Sequence, residues 1–302
     1  MHTQWELRYA DWMQDGTVQT LVGIRPNGAG PAFLVRERRA VTAVLPQVST
    51  WYPDHVSYGQ AHLHEIADRL GTHRVLQARE MRSLLLLNRG GRFEIRALPM
   101  EVQWAPAFGL SVADLDGNGT EDVFVNQNFF GTDAETSRQD AGTGLVLLGD
   151  GNGGFRPLRP TESGIFVEGE GRGCAVGDFD GDRRPDLAVA QHRGPLSWFR
   201  NRRAAPGLRV HLEGPEGNRT GIGAMIRVGR PGRWGPAREL HAGSGWWSQD
   251  TFDPILACPP EATQIQVRWP GGRTTHHPIP EDRTTVIVRL EDPLPSEEPR
   301  SR

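Results

Sequence analysis

Two turns in the middle of the chain carry acidic residues at alternating positions. The first covers residues 114–122 and reads DLDGNGTED, and the second covers residues 178–186 and reads DFDGDRRPD. Calcium is a hard cation that takes six to eight oxygen ligands at about 2.3–2.6 Å. Alternating acidic side chains of a loop turn inward together, so this spacing predicts two calcium-binding loops.

The predicted ligands follow the same order in both turns: three side chains, one backbone carbonyl and a closing aspartate. They are Asp114, Asp116, Asn118, the carbonyl of Thr120 and Asp122 in the first turn, and Asp178, Asp180, Asp182, the carbonyl of Arg184 and Asp186 in the second. The alternative is a plain Asp-Gly turn, which needs one aspartate and one glycine. Several converging carboxylates repel one another without a cation, which favours calcium sites. Magnesium is less favoured because it keeps its waters and a near-octahedral geometry.

The two turns differ at a position that controls the backbone. Gly117 and Gly119 let the first turn wrap tightly with positive φ. In the second turn Gly181 matches Gly117, but Arg183 replaces the second glycine. A non-glycine residue at positive φ is uncommon. We therefore expect both turns to bind metal, the first with the cleaner geometry.

The acidic turns belong to an internal repeat in which each turn lies between two apolar segments. The segments are SVADLDGNGTEDVFVN at residues 111–126 and CAVGDFDGDRRPDLAVA at residues 174–190, and further strand-and-turn segments follow at 144–155 and 196–202. Three or four strands in each repeating unit are typical of β-propeller blades.

A third, degenerate copy, LRYADWMQDGTVQTLV, covers residues 7–22 and is followed by a strand and turn at 83–93. It keeps Asp11, Asp15 and Gly16 but has Met13 and Thr20 where the other copies are acidic. We expect this copy to have lost its metal site.

The repeat stops near residue 205, and this boundary divides the chain. The predicted fold is all-β, with β-propeller blades over residues 1–205, a small antiparallel β-sandwich or barrel over 206–292, and a disordered tail rich in proline, serine and charge over 293–302. A helical insertion is expected at residues 48–79, with its helix at 60–70, where apolar residues follow helical spacing.

The net charge, the apolar runs and the cysteines limit the classes of function that the protein can have. The formal net charge of -3 gives no basic excess for nucleic acid. The sequence has no run of 18 apolar residues, so no membrane span is expected, and its first nine residues do not resemble a signal peptide. Cys174 and Cys258 are expected to be free thiols, with a disulfide as the alternative.

The acidic repeats resemble the FG-GAP or VCBS repeats of integrin-type β-propellers, in which such a loop binds calcium within a blade. Three later segments resemble the ASPIC/UnbV domain, which follows FG-GAP repeats in bacterial proteins and in the cartilage acidic protein family. These segments are GIGAMIRV at 221–228, RELHAGSGWWSQ at 238–249 and IQVRWPGG at 265–272. The resemblance implies an extracellular or cell-surface calcium-binding protein.

The sequence departs from the family in two respects. FDPILA at residues 252–257 stands where the family usually has a Phe-Gly-Leu-Gly turn. The repeat region supplies roughly three or four blades, whereas closed propellers commonly have more. We therefore expect either additional blades from a longer chain or another subunit, or a reduced propeller that closes its edges differently.

The first functional hypothesis is a recognition or adhesion module that binds a glycan or protein partner, with calcium mainly structural. Trp246 and Trp247 are its candidate ligand-binding residues, because on a strand one of them would face outward and stack on a sugar or a partner. The alternative is packing of both rings inside the protein.

The second hypothesis is a calcium-dependent enzyme of the lyase or cyclase type, with a pocket near Arg138 and Asp140. The sequence shows no recognised nucleophile or acid–base pair, so the catalytic residues are unknown. Convergence of Arg138 and Asp140 with Glu168 or Glu170 in a pocket would favour the enzyme. Pairing of these side chains on the surface would favour a structural role.

Overall fold

The computed structural model describes residues 4–290, and these residues form six separate sheets and a few short helices. The protein is therefore mainly β, and no closed propeller is present among the described residues. Residues 293–302, for which the sequence predicts disorder, lie outside this range. The chain divides into two compact units, one of residues up to 82 together with 132–137, and one of residues 83–131 together with those from 138 onward. No helix within residues 4–290 is long and apolar enough to cross a membrane.

The first unit combines a four-stranded antiparallel sheet with four short helices. Its elements are β1 (Gln4–Ala10), β2 (Gln19–Arg25), a 3-10 turn (Pro26–Gly28), β3 (Phe33–Leu34), α1 (Arg38–Val44), α2 (Val48–Trp51), α3 (His55–Gln60), α4 (Leu63–Leu70) and β4 (Arg74–Ala78). The strand order is β3-β2-β1-β4.

Helix α4 packs one face into the core of this unit. Leu63, Ile66 and Ala67 are fully buried and follow helical spacing. Burying each large side chain contributes about 1.5–3 kcal/mol. The Glu65 carboxylate accepts a hydrogen bond from the backbone N–H of His62 at 3.0 Å and so caps the helix start.

The helical region differs from the sequence prediction of one helix at residues 60–70. Ala61 and His62 have extended backbones, so α3 ends at Gln60 and α4 begins at Leu63. The first helix begins at Arg38, whereas the helical insertion is predicted to begin at residue 48. The cap made by Glu65 explains why a new helix begins after His62.

The second unit begins with a hairpin and two sheets that carry the acidic turns. Its elements are β5 (Leu84–Asn88), β6 (Phe93–Ala97), a 3-10 turn (Met100–Gln103), β7 (Ala107–Ala113), β8 (Asp122–Gln127), β9 (Leu145–Gly149), β10 (Phe155–Pro157), α5 (Pro160–Ser163), β11 (Gly171–Gly177), β12 (Asp186–Gln191) and β13 (Ser197–Phe199). The sheet orders are β10-β9-β8-β7 and β11-β12-β13, and all their pairs are antiparallel.

Strand β8 is buried on both faces because alternate residues of a strand point in opposite directions. Phe124 packs into a cluster with Val176 and Leu187 from the next sheet. Its neighbour Val125 packs on the opposite side, with Val102 and Leu147. The two sheets that hold the acidic turns are thus fixed by a shared core.

The remaining residues of the second unit form two further sheets around their own core. The elements are β14 (Leu208–Glu213), a 3-10 turn (Glu216–Asn218), β15 (Met225–Arg230), β16 (Arg233–Trp234), β17 (Arg238–Glu239), β18 (Ile255–Leu256), β19 (Gln264–Arg268), β20 (Thr274–Pro278) and β21 (Thr285–Arg289). One sheet has the order β18-β14-β21; in the other, β16-β15-β19-β20, β17 also pairs with β15. Strands β14 and β21 pair in parallel, so the purely antiparallel prediction is wrong for this pair. Between β14 and β21 the chain forms the second sheet, and β21 then runs in the same direction as β14.

Candidate metal centres

The first acidic turn joins two antiparallel strands of one sheet. Strand β7 ends at Ala113, which pairs with Asp122 at the start of β8. Carboxylate oxygens of Asp114, Asp116 and Asp122 all lie within 4.8 Å of one another. The structure therefore brings three of the predicted acidic ligands together in one group that could hold a metal ion.

Backbone N–H groups of the turn hold Asp114 in place. One of its carboxylate oxygens accepts a hydrogen bond from the N–H of Gly117 at 2.9 Å, and the other accepts from the N–H of Gly119 at 2.8 Å. The φ angles of Gly117 and Gly119 are 79° and 87°, as the glycine pattern predicts. These two hydrogen bonds from the turn therefore hold the carboxylate of Asp114 in position.

Burial and mutual repulsion act on these carboxylates in the metal-free state. Burial, together with the nearby charges of Asp122 and Asp116, raises the pKa of Asp114 to about 6. Burial likewise raises the pKa of Asp122, which is fully inaccessible to solvent, to about 6. Across residues 4–290, none of the three carboxylates forms an ion pair. A bound cation would supply the missing positive charge.

The side chains of Asn118 and Thr120 form hydrogen bonds in and beside the first turn. The Asn118 side-chain amide donates to Asp116 at 3.0 Å, and its oxygen accepts from the backbone N–H of Thr120 at 2.7 Å. The Thr120 hydroxyl donates to the carbonyl of Gly149 at 2.9 Å. The acidic group consists of the three aspartates, and the Asn118 side chain and the Thr120 carbonyl remain predicted ligands.

The second acidic turn has the same position between β11 and β12, where Gly177 pairs with Asp186. Carboxylate oxygens of Asp178, Asp180 and Asp186 lie within 4.8 Å of one another, and Asp182 is not part of this group. The φ angle at Arg183 is 63°, so this non-glycine residue adopts the conformation that Gly119 adopts in the first turn.

Arginine side chains distinguish the second turn from the first. Asp178 forms an ion pair with Arg209 of β14, and Asp180 forms one with Arg200. Asp182 pairs with the side chain of Arg184 at 2.8 Å. A cation in this turn would therefore bind carboxylates that already carry positive partners.

One carboxylate oxygen in the second turn shows whether the residues present fit a metal ion. The Oδ1 atom of Asp178 is buried and has no hydrogen-bond partner among the described residues, and the side chain is only 3% exposed. Leaving a buried charged oxygen unpaired costs free energy. Because the oxygen belongs to the three-carboxylate group, an oxygen-liganded divalent cation fits the residues present.

The degenerate copy of the repeat keeps the same backbone pattern but lacks two of the acidic residues. Asp11 accepts a hydrogen bond from the N–H of Gly16 at 3.0 Å, as Asp114 does from Gly119. Gln19 accepts from the N–H of Trp12 at 2.8 Å, as Asp122 does from Leu115.

The closing position of this copy needs a correction. The repeat alignment assigns Thr20 to it, but Ala10 pairs with Gln19 just as Ala113 pairs with Asp122. Gln19 therefore occupies the closing position. It provides the hydrogen bond of the missing aspartate without its charge.

Three of the four residues named for the enzymatic pocket form two separate ion pairs. Arg138 pairs with Asp140 at 3.1 Å, and both side chains are at least half exposed. Glu170 pairs with Arg172 at 2.6 Å, and Glu168 is exposed. Arg138 and Asp140 therefore pair with each other at the surface, whereas Glu170 is buried and pairs with Arg172.

The two tryptophans form the tip of a tight turn, so their expected placement on a strand is wrong. Gly245 and Ser248 form an isolated antiparallel bridge on either side of them. Trp247 has a φ angle of 51° and is 93% exposed. Trp246 packs edge-on against Phe108, with ring centroids 5.4 Å apart.

Several residues near the metal centres could not be found from the sequence. Arg209 lies 31 positions from Asp178, on a strand of another sheet. Asn201 donates from its backbone N–H to Asp186 and from its side chain to the carbonyl of Leu115, both at 2.8 Å. Asn201 thereby links the two acidic turns, and no local spacing predicts that role.

Comparison with known proteins identifies the C-terminal segment. Residues 214–293 match the protein-family model described as ASPIC and UnbV. No curated protein matches the chain. The match covers most of the two sheets formed by β14–β21, and it agrees with the three sequence segments that resemble this domain. The C-terminal part of the protein is therefore similar to the ASPIC and UnbV domain.

Proposed function

We propose that this protein is a calcium-stabilised recognition module in which FG-GAP-type repeats precede the ASPIC and UnbV domain. One observation carries the proposal: two equivalent turns each gather three carboxylates whose oxygens lie within 4.8 Å. Two like groups at corresponding strand ends are the arrangement expected of repeated calcium loops.

Calcium has a mainly structural role in this proposal. Each site lies where one strand ends and its antiparallel partner begins, so a bound ion would tie the two strands together. It would also neutralise the repulsion among the three carboxylates. Asn201 connects the two turns, so an ion in either turn would stabilise the backbone that positions the other.

The exposed side chain of Trp247 supports a role in ligand recognition for the turn that carries it. Its ring is 93% exposed at the tip of a turn, next to Trp246, which is 46% exposed. An exposed aromatic ring can stack on the apolar face of a sugar. We therefore propose a glycan as the ligand.

Thermal unfolding tests the calcium part of the proposal. The full chain is stripped of metal with a chelator and compared in calcium, in magnesium and in neither. Calcium is expected to raise the melting temperature more than magnesium does at equal concentration. An unchanged melting temperature would contradict a structural calcium role.

A glycan array tests the recognition part, with the calcium-loaded protein and its Trp247→Ala variant. Trp198 is also exposed, on β13 and away from the turn, so Trp198→Ala is the matched control. Glycan binding should be lost in the first variant and kept in the second. Binding only to proteins, or equal binding by all three forms, would reject the glycan.

A further inference from the structure

The second unit contains a cavity beside the acidic turns, and none of the predicted calcium ligands lines it. Its volume is about 570 Å³, within the range of small-molecule sites. We call it the inter-sheet cleft. It lies between β7 and β11 on one side and the segment from Ala237 to Ile255 on the other.

The inter-sheet cleft has an apolar wall. Leu110 and Val112 of β7 line it and are 47% and 41% exposed, whereas their neighbours Ser111 and Ala113 face the core. Met225 and Leu240 lie on the other side. Alternation along β7 thus leaves two large apolar side chains open to this space.

An acidic group is fixed at the wall of the cleft. The carboxylate of Asp250 accepts hydrogen bonds from the backbone N–H of Val176 at 2.7 Å and from the hydroxyl of Ser111 at 3.3 Å. Its own N–H donates to the hydroxyl of Ser244 at 2.7 Å. Burial raises the pKa of Asp250. The side chain is therefore held in one place by three different segments.

Two other charged groups of the cleft, Arg238 and Glu121, compensate each other. Arg238 forms an ion pair with Glu121 and donates to the carbonyl of Val112. His241 lies 3.7 Å from Glu239. Asp250 forms no ion pair within residues 4–290, although Arg238 is near enough to favour its ionised form. The cleft therefore carries one partly buried negative charge without a direct cationic partner.

We propose that the inter-sheet cleft binds a small organic monocation, namely an amine with an apolar body. The ammonium group pairs with Asp250, and the body packs on Leu110 and Val112. Charge complementarity selects the amine, because a buried carboxylate without a cation is costly. A single carboxylate beside an apolar wall does not provide the several oxygens that a divalent metal requires. This site does not depend on the calcium-binding function proposed above.

Titration calorimetry tests the site with three probes of similar shape: 2-phenylethylamine, 2-phenylethanol and 3-phenylpropionate. The calcium-loaded full chain should bind the amine at least tenfold more tightly than the alcohol and should not bind the carboxylate. Equal binding of amine and alcohol, or no binding of the amine, would overturn the proposal.

Variants of Asp250 and Leu110 test whether the amine binds in the inter-sheet cleft. Asp250→Asn should weaken amine binding at least tenfold, whereas Asp253→Asn, whose carboxylate pairs with His211 outside the cleft, should not. Because Asp250 also holds the backbone of Val176, a second variant fills the cleft from an exposed position. Leu110→Trp should abolish amine binding in a folded protein, and undiminished binding by this variant would reject the site.

Discussion

Replacing Arg209 with methionine should tighten calcium binding at the second acidic turn. Arg209 forms an ion pair with Asp178, whose side chain is 3% exposed, while Arg209 itself is 33% exposed. The pair competes with calcium for the same carboxylate. In the calcium-bound protein the metal takes over that charge, so removal of the arginine destabilises mainly the metal-free form.

The size of the effect follows from the exposure of the pair. A hydrogen bond between charged groups contributes about 1.5–3 kcal/mol, and partial exposure of the arginine places this pair at the lower end. A free energy of about 1.4 kcal/mol is a factor of ten in affinity. The dissociation constant for calcium at the second turn should therefore fall about tenfold, and the metal-free variant should be less stable by about 1.5 kcal/mol.

Calorimetry in an Asp116→Asn background isolates the second turn. Arg289→Met is the matched control, because Arg289 also lies on a strand of the C-terminal domain but pairs with Glu213. The control should leave calcium affinity unchanged. Unchanged or weaker calcium binding by the Arg209 variant would refute the idea that this arginine competes with the metal.

Three further predictions concern thiol chemistry, strand packing and the degenerate repeat. Burial raises the pKa of the Cys174 thiol from 9.0 to about 11. Iodoacetamide at pH 8 should therefore modify Cys258 before Cys174, by mass spectrometry of the folded protein. Since the folded thiol keeps its proton while the unfolded one loses it, the free energy of unfolding should fall between about pH 9 and 11; a rise attributable to Cys174, by comparison with Cys174→Ser, would contradict this. A Cβ at Gly109 would lie 2.4 Å from the carbonyl oxygen of Arg172, whereas one at Gly59 meets nothing within 4 Å. Gly109→Ala should therefore destabilise the protein by about 1–3 kcal/mol in denaturant unfolding. Gly59→Ala should be neutral or stabilising, and equal effects of the two would show that the close approach of β7 and β11 is not restrictive. Met13→Asp with Gln19→Asp restores the acids of the degenerate copy, and calcium stoichiometry should rise by one; an unchanged stoichiometry would show that its backbone does not support a site.

The backbone of the acidic turns is predictable because its interactions are local. The aspartate that starts each turn accepts hydrogen bonds from residues three to five positions later, as Asp114 does from Gly117 and Gly119. The glycine pattern specifies positive φ at those positions, and it identifies Arg183 as the exception. Sequence spacing therefore anticipates the three carboxylates that converge in each turn, although it also assigns Asp182, which is not part of the group.

Other features depend on contacts that no local pattern encodes. The pairing of Asp178 with Arg209 joins different sheets, and the parallel pairing of β14 with β21 depends on the path of the chain between them. The strand expected for Trp246 and Trp247 is not formed. Glycine and serine on both sides instead allow a tight turn, with Trp247 at positive φ. The inter-sheet cleft likewise arises only when Leu110 and Asp250 come together from distant segments.

Calcium stoichiometry of the metal-stripped full chain tests the central claim most directly. Calorimetric titration should give two calcium ions for each chain, one ion for either Asp116→Asn or Asp180→Asn, and none for the double variant. The variants should remain folded by circular dichroism, because neither aspartate belongs to a buried core cluster. Absence of calcium binding by the wild-type protein, or two ions bound by the folded double variant, would contradict the assignment of the two acidic turns as calcium sites.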